Sequence, residues 1–376
     1  MTALTTDQVE GLTKSQITGL KTTNLKALTT AQVSVLSSTQ LTGLSVAQVG
    51  SLSTAQVNAL STSQVQSLSD NNIKSLNTSQ LAALSTTQVA ALTTTQAGNL
   101  SNTTVAALSS TQVNALGTSQ VAALSKAAVA GLTTGQVNGL STTVLQSLTT
   151  GQVVALTNDQ VKALTTANVN ALTTDQVKAI ESADIAVLSS AQVGALTTTQ
   201  VGVLTSAQFK ALGSDSLAGF TTTTVKILSS TQLAALPNTS VAALSTTQVA
   251  ALSNTQMGTL PKTVVAALTT SQVKNLGTDQ VAALNTAAVS GLTTAQVRTL
   301  STAQVVALTT AQVKLLPTSD IAALSTAQVQ ALTSSQVTAL DVSELKAFTT
   351  DQRGVLLDAQ KAGLSTDQKR ALGIVS

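Results

Sequence analysis

The chain contains no cysteine, histidine, tryptophan or tyrosine, and only three phenylalanines and three prolines in 376 residues. Each absence excludes something. Without cysteine there is no disulfide, no thiol nucleophile and no zinc–thiolate site. Without histidine the side chain that most often moves protons near neutral pH is missing. Charge is scarce as well: 9% of residues are charged, 18 basic against 15 acidic, for a net +3. The isoelectric point near 9.2 therefore reflects a small imbalance among few charges, not a basic surface. No Lys/Arg cluster is present, so nucleic acid is not an expected partner. No apolar run approaches the roughly 18 residues of a membrane-spanning helix. The repeat described below begins at Leu4, with no charged leader and apolar stretch before it, so a classical secretory signal peptide is not expected either.

What remains is mostly Ala, Leu, Val, Ser, Thr and Gln. Apolar residues make up 43% of the chain and the mean hydropathy is +0.31, more than a chain unable to bury a core would carry. Their spacing is regular. Every eighth residue from Leu4 to Leu372 is leucine, 47 positions in all, with Ile180, Phe220 and Phe348 as the substitutes and no insertion or deletion. With this Leu as slot one, slot two is mostly Ser or Thr, slot five mostly Gln, slot six mostly Val, and slot eight mostly Ala or Gly. Slots three, four and seven vary and read as solvent-facing; slots one and six read as core.

One continuous helix does not fit. Eight residues advance an α-helix by about 800°, so the leucine stripe would rotate by about 80° per repeat and hold no face. A β-solenoid is the alternative architecture. It fits poorly, because Leu to Val is five residues and Val to Leu three, which would point them to opposite faces of a strand. A short capped helix in each octad fits slot by slot. Ser or Thr followed three residues later by Gln is a capping box, and slots one and six hold the two members of a hydrophobic staple. The prediction is an all-α solenoid, or superhelix, of 47 eight-residue units running uninterrupted over 1–376. Helices this short are unstable alone, so stacking must supply their stability.

The exceptions agree. Pro237, Pro261 and Pro317 all occupy slot two, the helix entrance, where a missing N–H does least harm. Acids such as Asp7, Asp159, Asp215 and Asp279 gather at slot four, and bases such as Lys26, Lys226, Lys274 and Arg298 at slot seven, the polarity a helix dipole favours. Asp159–Lys162, Asp175–Lys178 and Asp367–Arg370 are spaced for (i, i+3) pairing. Glu181/Asp184 and Asp341/Glu344 put acids at slots two and five, where they read as cap and box partner rather than as a catalytic or metal-binding pair. Small residues at slot eight, among them Gly131 and Ala243, let the chain turn closely into the next helix. In the last three units slot six becomes Arg353, Lys361 and Lys369, so 349–376 reads as a C-terminal cap.

Residues 300–308, LSTAQVVAL, resemble the opening of the repeat in transcription activator-like effectors, L-T-P-E-Q-V-V-A-I. That resemblance covers one helix, and no base-reading residue is carried over. The pattern L-[ST]-x-x-Q-V-x-[AG] resembles the octapeptide tracts of large bacterial surface and adhesin-like proteins, which implies an extracellular structural role.

Together these features predict no catalytic, cofactor-binding or metal-binding residues, no cofactor, and no small-molecule substrate. The expected function is a rigid elongated spacer or a self-assembling filament component at the bacterial cell surface or outside it, with cytoplasmic location as the alternative. Its partners would be further copies of itself or neighbouring domains of a larger surface assembly. A binding solenoid for protein, glycan or nucleic acid is one alternative. Ice or mineral binding through paired threonines such as Thr93-Thr94, Thr133-Thr134, Thr173-Thr174 and Thr269-Thr270 is another. Far-ultraviolet circular dichroism is expected to give the double minimum of a helical protein despite the abundant Ser, Thr and Val; a single strand-type minimum would favour the β-solenoid.

Overall fold

The structure, a computed structural model, describes Met1 and residues 3–374. Among the described residues there are 46 short α-helices and no strand, numbered here in chain order from α1 (Thr6–Glu10) to α46 (Thr366–Ala371). The all-α solenoid holds and the β-solenoid does not. The count is one below the 47 leucine slots, because only five residues, Leu372 to Ser376, belong to the octad that Leu372 opens.

A typical octad shows why the chain folds this way. In α8 (Thr62–Ser67), Ser61 is extended at φ −70° and ψ 163°, and its Oγ accepts from the Gln64 N–H at 3.2 Å. Gln64 Oε1 in turn accepts from the Ser61 N–H at 2.6 Å. Leu60 and Val65, which bracket the cap, are both buried. The helix closes as the Leu68 N–H donates to the Val65 carbonyl, and Leu68 is already extended, with Ser69 capping the next helix. Each helix therefore has about a turn and a half before the next cap stops it.

The chain forms two compact units, Met1–Val187 and Leu188–Ser376. Within each, a helix packs on the helix three further along. In the first unit α12 (Thr94–Gly98) lies on α15 (Thr118–Ala123); in the second α34 (Thr270–Lys274) lies on α37 (Thr294–Thr299). Three stacks of helices result in each unit, with slots one and six supplying nearly all of the buried apolar side chains. Slots three, four and seven are mostly exposed, as their variability predicts.

Some neighbouring turns approach at backbone distance, where only glycine fits. A Cβ on Gly131 would sit 2.6 Å from the Asn102 Cα, and one on Gly219 would sit 1.9 Å from the Ser190 carbonyl oxygen. Both glycines occupy slot eight and face slot three of a helix one turn earlier. Gly219 borders an aromatic contact, Phe209 against Phe220, with ring centroids 6.1 Å apart.

If the octad is the structural unit, deleting Ser245–Leu252 removes one helix and rejoins like slots. The shortened chain is expected to keep its helicity and lose little stability. Deleting Ser245–Gln248 instead puts Val249 where a cap belongs, and is expected to cost several kcal/mol, roughly 2–5, through a lost cap and misplaced apolar side chains. Denaturant unfolding of both deletions beside the parent measures the difference; equal damage would mean that the octad is not the unit.

Candidate functional site

The most elaborated feature of the molecule is a repeated seam built on slot five. The amide of a slot-five glutamine has two ends. Its oxygen completes the capping box at the start of its own helix; its nitrogen reaches down one turn to the end of an earlier helix. Gln64 Nε2 lies 3.0 Å from the Val33 carbonyl oxygen, 3.1 Å from that of Ser34 and 2.7 Å from that of Leu36. In the second unit, Gln296 makes the same three approaches to Val265 (3.0 Å), Ala266 (3.4 Å) and Leu268 (2.6 Å). The register is constant at 31, 30 and 28 residues, and 28 residues is three and a half octads. No backbone N–H reaches the Leu36 carbonyl, so the glutamine supplies its hydrogen-bond partner. Gln64 is 4% exposed and Gln296 1%, so these amides work in a dry seam where unpaired carbonyls would be costly.

Sequence reasoning assigned these glutamines to the cap alone. The signal for the second role was present: 32 of the 46 slot-five residues from position 8 to 368 are Gln and only one is Glu. Glu serves a capping box as well as Gln does. A strong preference for the amide therefore requires a donor, and the donor faces the carbonyls below. Gln8 and Gln16, with no residue 28 positions earlier, are exposed and keep the cap.

Several polar substitutions at slot five follow the same requirement, whereas Ala128, Val144, Val264 and Ala288 bring no donor. Asn72 and Asn168 are one methylene shorter and reach only the slot-one carbonyls, Leu44 at 3.0 Å and Leu140 at 2.9 Å. Ser216 and Ser240 donate to the Leu188 and Leu212 carbonyls at 2.6 and 3.1 Å. Behind all three slot-two prolines slot five is not glutamine: Ser240 follows Pro237, Val264 follows Pro261 and Asp320 follows Pro317. Proline has no N–H for a glutamine oxygen to accept, so half of the amide's purpose is gone.

The acids predicted as structural lie where expected, with one correction. Asp341 and Glu344 form a complete capping box, but Glu181 makes no side-chain cap bond to its helix. An extended carboxylate there is left to solvent while Asp184 is buried. Burial raises the Asp184 carboxyl above its usual range, helped by the Glu181 charge. Burial likewise raises Glu344, with the Asp341 N–H and Lys314 opposing and the Asp341 charge assisting. Asp341 moves the other way, held low chiefly by its bond from the Ser343 hydroxyl. The raised groups favour folding below their unfolded values and lose that contribution as pH rises through their folded values. Asp341 favours folding above its unfolded value and loses that contribution as pH falls.

Asp159–Lys162 and Asp367–Arg370 pair at 3.5 Å, and Asp358–Lys361 at 3.6 Å adds a pair that the sequence reading did not name. The slot-six cations Arg353, Lys361 and Lys369 are half-buried, whereas slot six is buried in every helix from α24 (Ser190–Gly194) to α43 (Val342–Lys346). Arg353 donates to the Lys346 carbonyl at 2.9 Å. The paired threonines do not offer equivalent hydroxyls, since Thr93, Thr133, Thr173 and Thr269 each accept a cap bond. Among the described residues no helix is long and apolar enough to cross a membrane.

Grooves run between successive turns on the outside. One of about 800 Å³ in the second unit is lined by Thr222, Lys226, Thr247, Thr278 and Asp279 over an apolar floor of Ala250, Ala251 and Leu252. A groove of about 550 Å³ in the first unit uses the same slots 200 residues earlier, with Thr22, Lys26 and Leu52. Gly277 in the larger groove stands where the smaller has Asn77.

The family model described as ALTTAQ repeat matches residues 40–70, 71–102, 98–126, 129–166, 177–214, 265–294, 289–318 and 315–350, more than half of the chain. Those six letters occur unaltered at 27–32 and 307–312 and run from slot eight to slot five, from the close turn through the cap to the seam amide. No curated protein matches the chain.

The seam makes a sharp demand on chemistry. Gln272 Nε2 faces the Val241, Ala242 and Leu244 carbonyls at 3.0, 3.4 and 2.6 Å. Gln272→Glu keeps the cap acceptor and replaces that donor by a carboxylate oxygen. At pH 7 it is expected to cost about 2–4 kcal/mol in denaturant unfolding. An unchanged midpoint would mean that the inter-turn bonds contribute nothing.

Proposed function

The chain belongs to the ALTTAQ repeat family, and from that membership and the geometry of its octads we propose that it is a structural protein, a rigid repeat spacer at or outside the bacterial cell surface, and not an enzyme. The observation that carries this reading is the commitment of polar groups to construction. Cap hydroxyl, box amide and helix-end carbonyls satisfy one another within and between turns, in the same register in both units. A spacer asks only for length and stiffness, and a unit that bonds to the turn before it supplies both. The resemblance to octapeptide tracts of bacterial surface proteins supports the location. Further copies of the chain, or neighbouring domains of a surface assembly, are the natural partners.

A second reading rests on the 800 Å³ groove. Lys226 and Asp279 flank an apolar floor with several hydroxyls at its rim, an arrangement suited to a polar extended ligand such as a glycan or peptide strand.

Electron microscopy and small-angle scattering of the purified chain test the spacer. Rods, or filaments of uniform diameter, are expected, with a radius of gyration well above the roughly 21 Å of a compact globule of this length. Compact particles at that value would overturn it. Saturable ligand binding abolished by Lys226→Ala would move the assignment to the binding solenoid.

A further inference from the structure

The second unit holds two acids where the seam requires donors, on adjoining turns. Asp320 lies in α40 (Thr318–Ala323) and Glu344 in α43, which packs directly on α40. Both are buried, at 2% and 5% exposure. In each carboxyl one oxygen is already an acceptor. Glu344 Oε2 accepts from the Asp341 N–H at 2.8 Å, completing the capping box as a glutamine oxygen would. That leaves Oε1 in the role of the glutamine nitrogen, whose register points to the carbonyls of Val313, Lys314 and Leu316. Asp320 Oδ1 accepts from the Thr294 hydroxyl at 2.7 Å, and Oδ2 is buried without any hydrogen-bond partner. Asparagine at the same slot, isosteric with aspartate, donates to the carbonyl 28 residues earlier, as Asn72 and Asn168 do. For Asp320 that carbonyl belongs to Leu292. Two oxygens that can only accept cannot bond to each other.

We propose that Glu344 is held as a neutral carboxylic acid whose hydrogen closes the seam onto the Leu316 turn, next to the unpartnered Asp320 oxygen on the adjoining turn, so that this stretch of the solenoid is firmest in mild acid and loosens as Glu344 ionises. The surrounding charges do not supply an alternative. Asp320 is packed between α37, which carries Arg298 at its far end, and α43, which carries Asp341, Glu344 and Lys346. Glu344 is packed between α40 and α46, the latter carrying Asp367, Lys369 and Arg370, of which Arg370 is paired with Asp367. Lys314 is the cation that acts on Glu344, and burial outweighs it. Ionising Glu344 would set a buried negative charge against inward-facing carbonyls. The sign follows from linkage: the contribution is complete below the unfolded value of Glu344 and is lost as pH rises through its raised folded value.

Glu344→Gln replaces that hydrogen by an amide N–H that pH cannot remove. At pH 7.5 the variant is expected to slow amide hydrogen exchange over residues 312–348 roughly tenfold relative to the parent at the same pH. At pH 4 the two proteins should exchange alike. A difference equal at both pH values, or faster exchange in the variant at pH 7.5, overturns the proposal. Infrared spectra of the parent alone provide a second reading that does not depend on the variant folding. The carbonyl stretch of a buried, protonated carboxyl should be present in acid and fade on raising the pH; its absence at pH 4 overturns the proposal equally.

Discussion

The structure depends on one side chain accepting and donating at once. A helix of four to six residues leaves most of its backbone groups unpaired at both ends, a far larger fraction than in an ordinary helix. In a chain made almost wholly of such helices, end effects are the main energetic problem rather than a correction. The slot-five amide answers it by joining two ends: an N–H at the start of one helix and the carbonyls closing another, one turn away. Neither half would suffice. Serine caps alone would leave the slot-one carbonyls dry and unpaired, and inter-turn bonds alone would not stop each helix from running into the next.

This requirement explains features that otherwise look unrelated. Glutamine is preferred because it alone has the length and both polarities; asparagine serves with one bond in place of three; proline at slot two removes the need for an acceptor and is followed by residues other than glutamine. Glycine at positions such as Gly131 and Gly219 serves the same closeness, because two turns sharing an amide must also let their backbones meet. The apolar slots supply the bulk of the burial, with mostly Leu at slot one and mostly Val at slot six.

Much of this was legible in the letters. The capping box, the staple, the entrance prolines and the dipole-matched charges all act within one octad, and a local pattern is what a single sequence displays. The number of helices per turn and the seam were not legible, because they depend on which octads meet across 25 to 31 residues of otherwise equivalent chain. Identical units offer no label by which to tell one distant partner from another. Glu181 shows the other limit. Its place in the pattern implied a cap, whereas its side chain is longer than Ser, Thr or Asp and does not fold back onto the helix start.

The seam also has a direction. Within each unit the slot-five glutamines that bond across turns donate to carbonyls nearer the N-terminus, as Gln40 does to Val9, Glu10 and Leu12. A ribosome releases the acceptors first. Once the first turn has emerged, each new octad meets a finished surface whose carbonyls await the next glutamine, so the chain can add one octad at a time while it is being made. Synthesis and folding then proceed in the same sense, and the exposed sticky surface at any moment need be no larger than the turn still under construction. For a protein with dozens of near-identical segments, in which mispairing is the characteristic hazard, that order of arrival selects the correct neighbour where the letters themselves cannot.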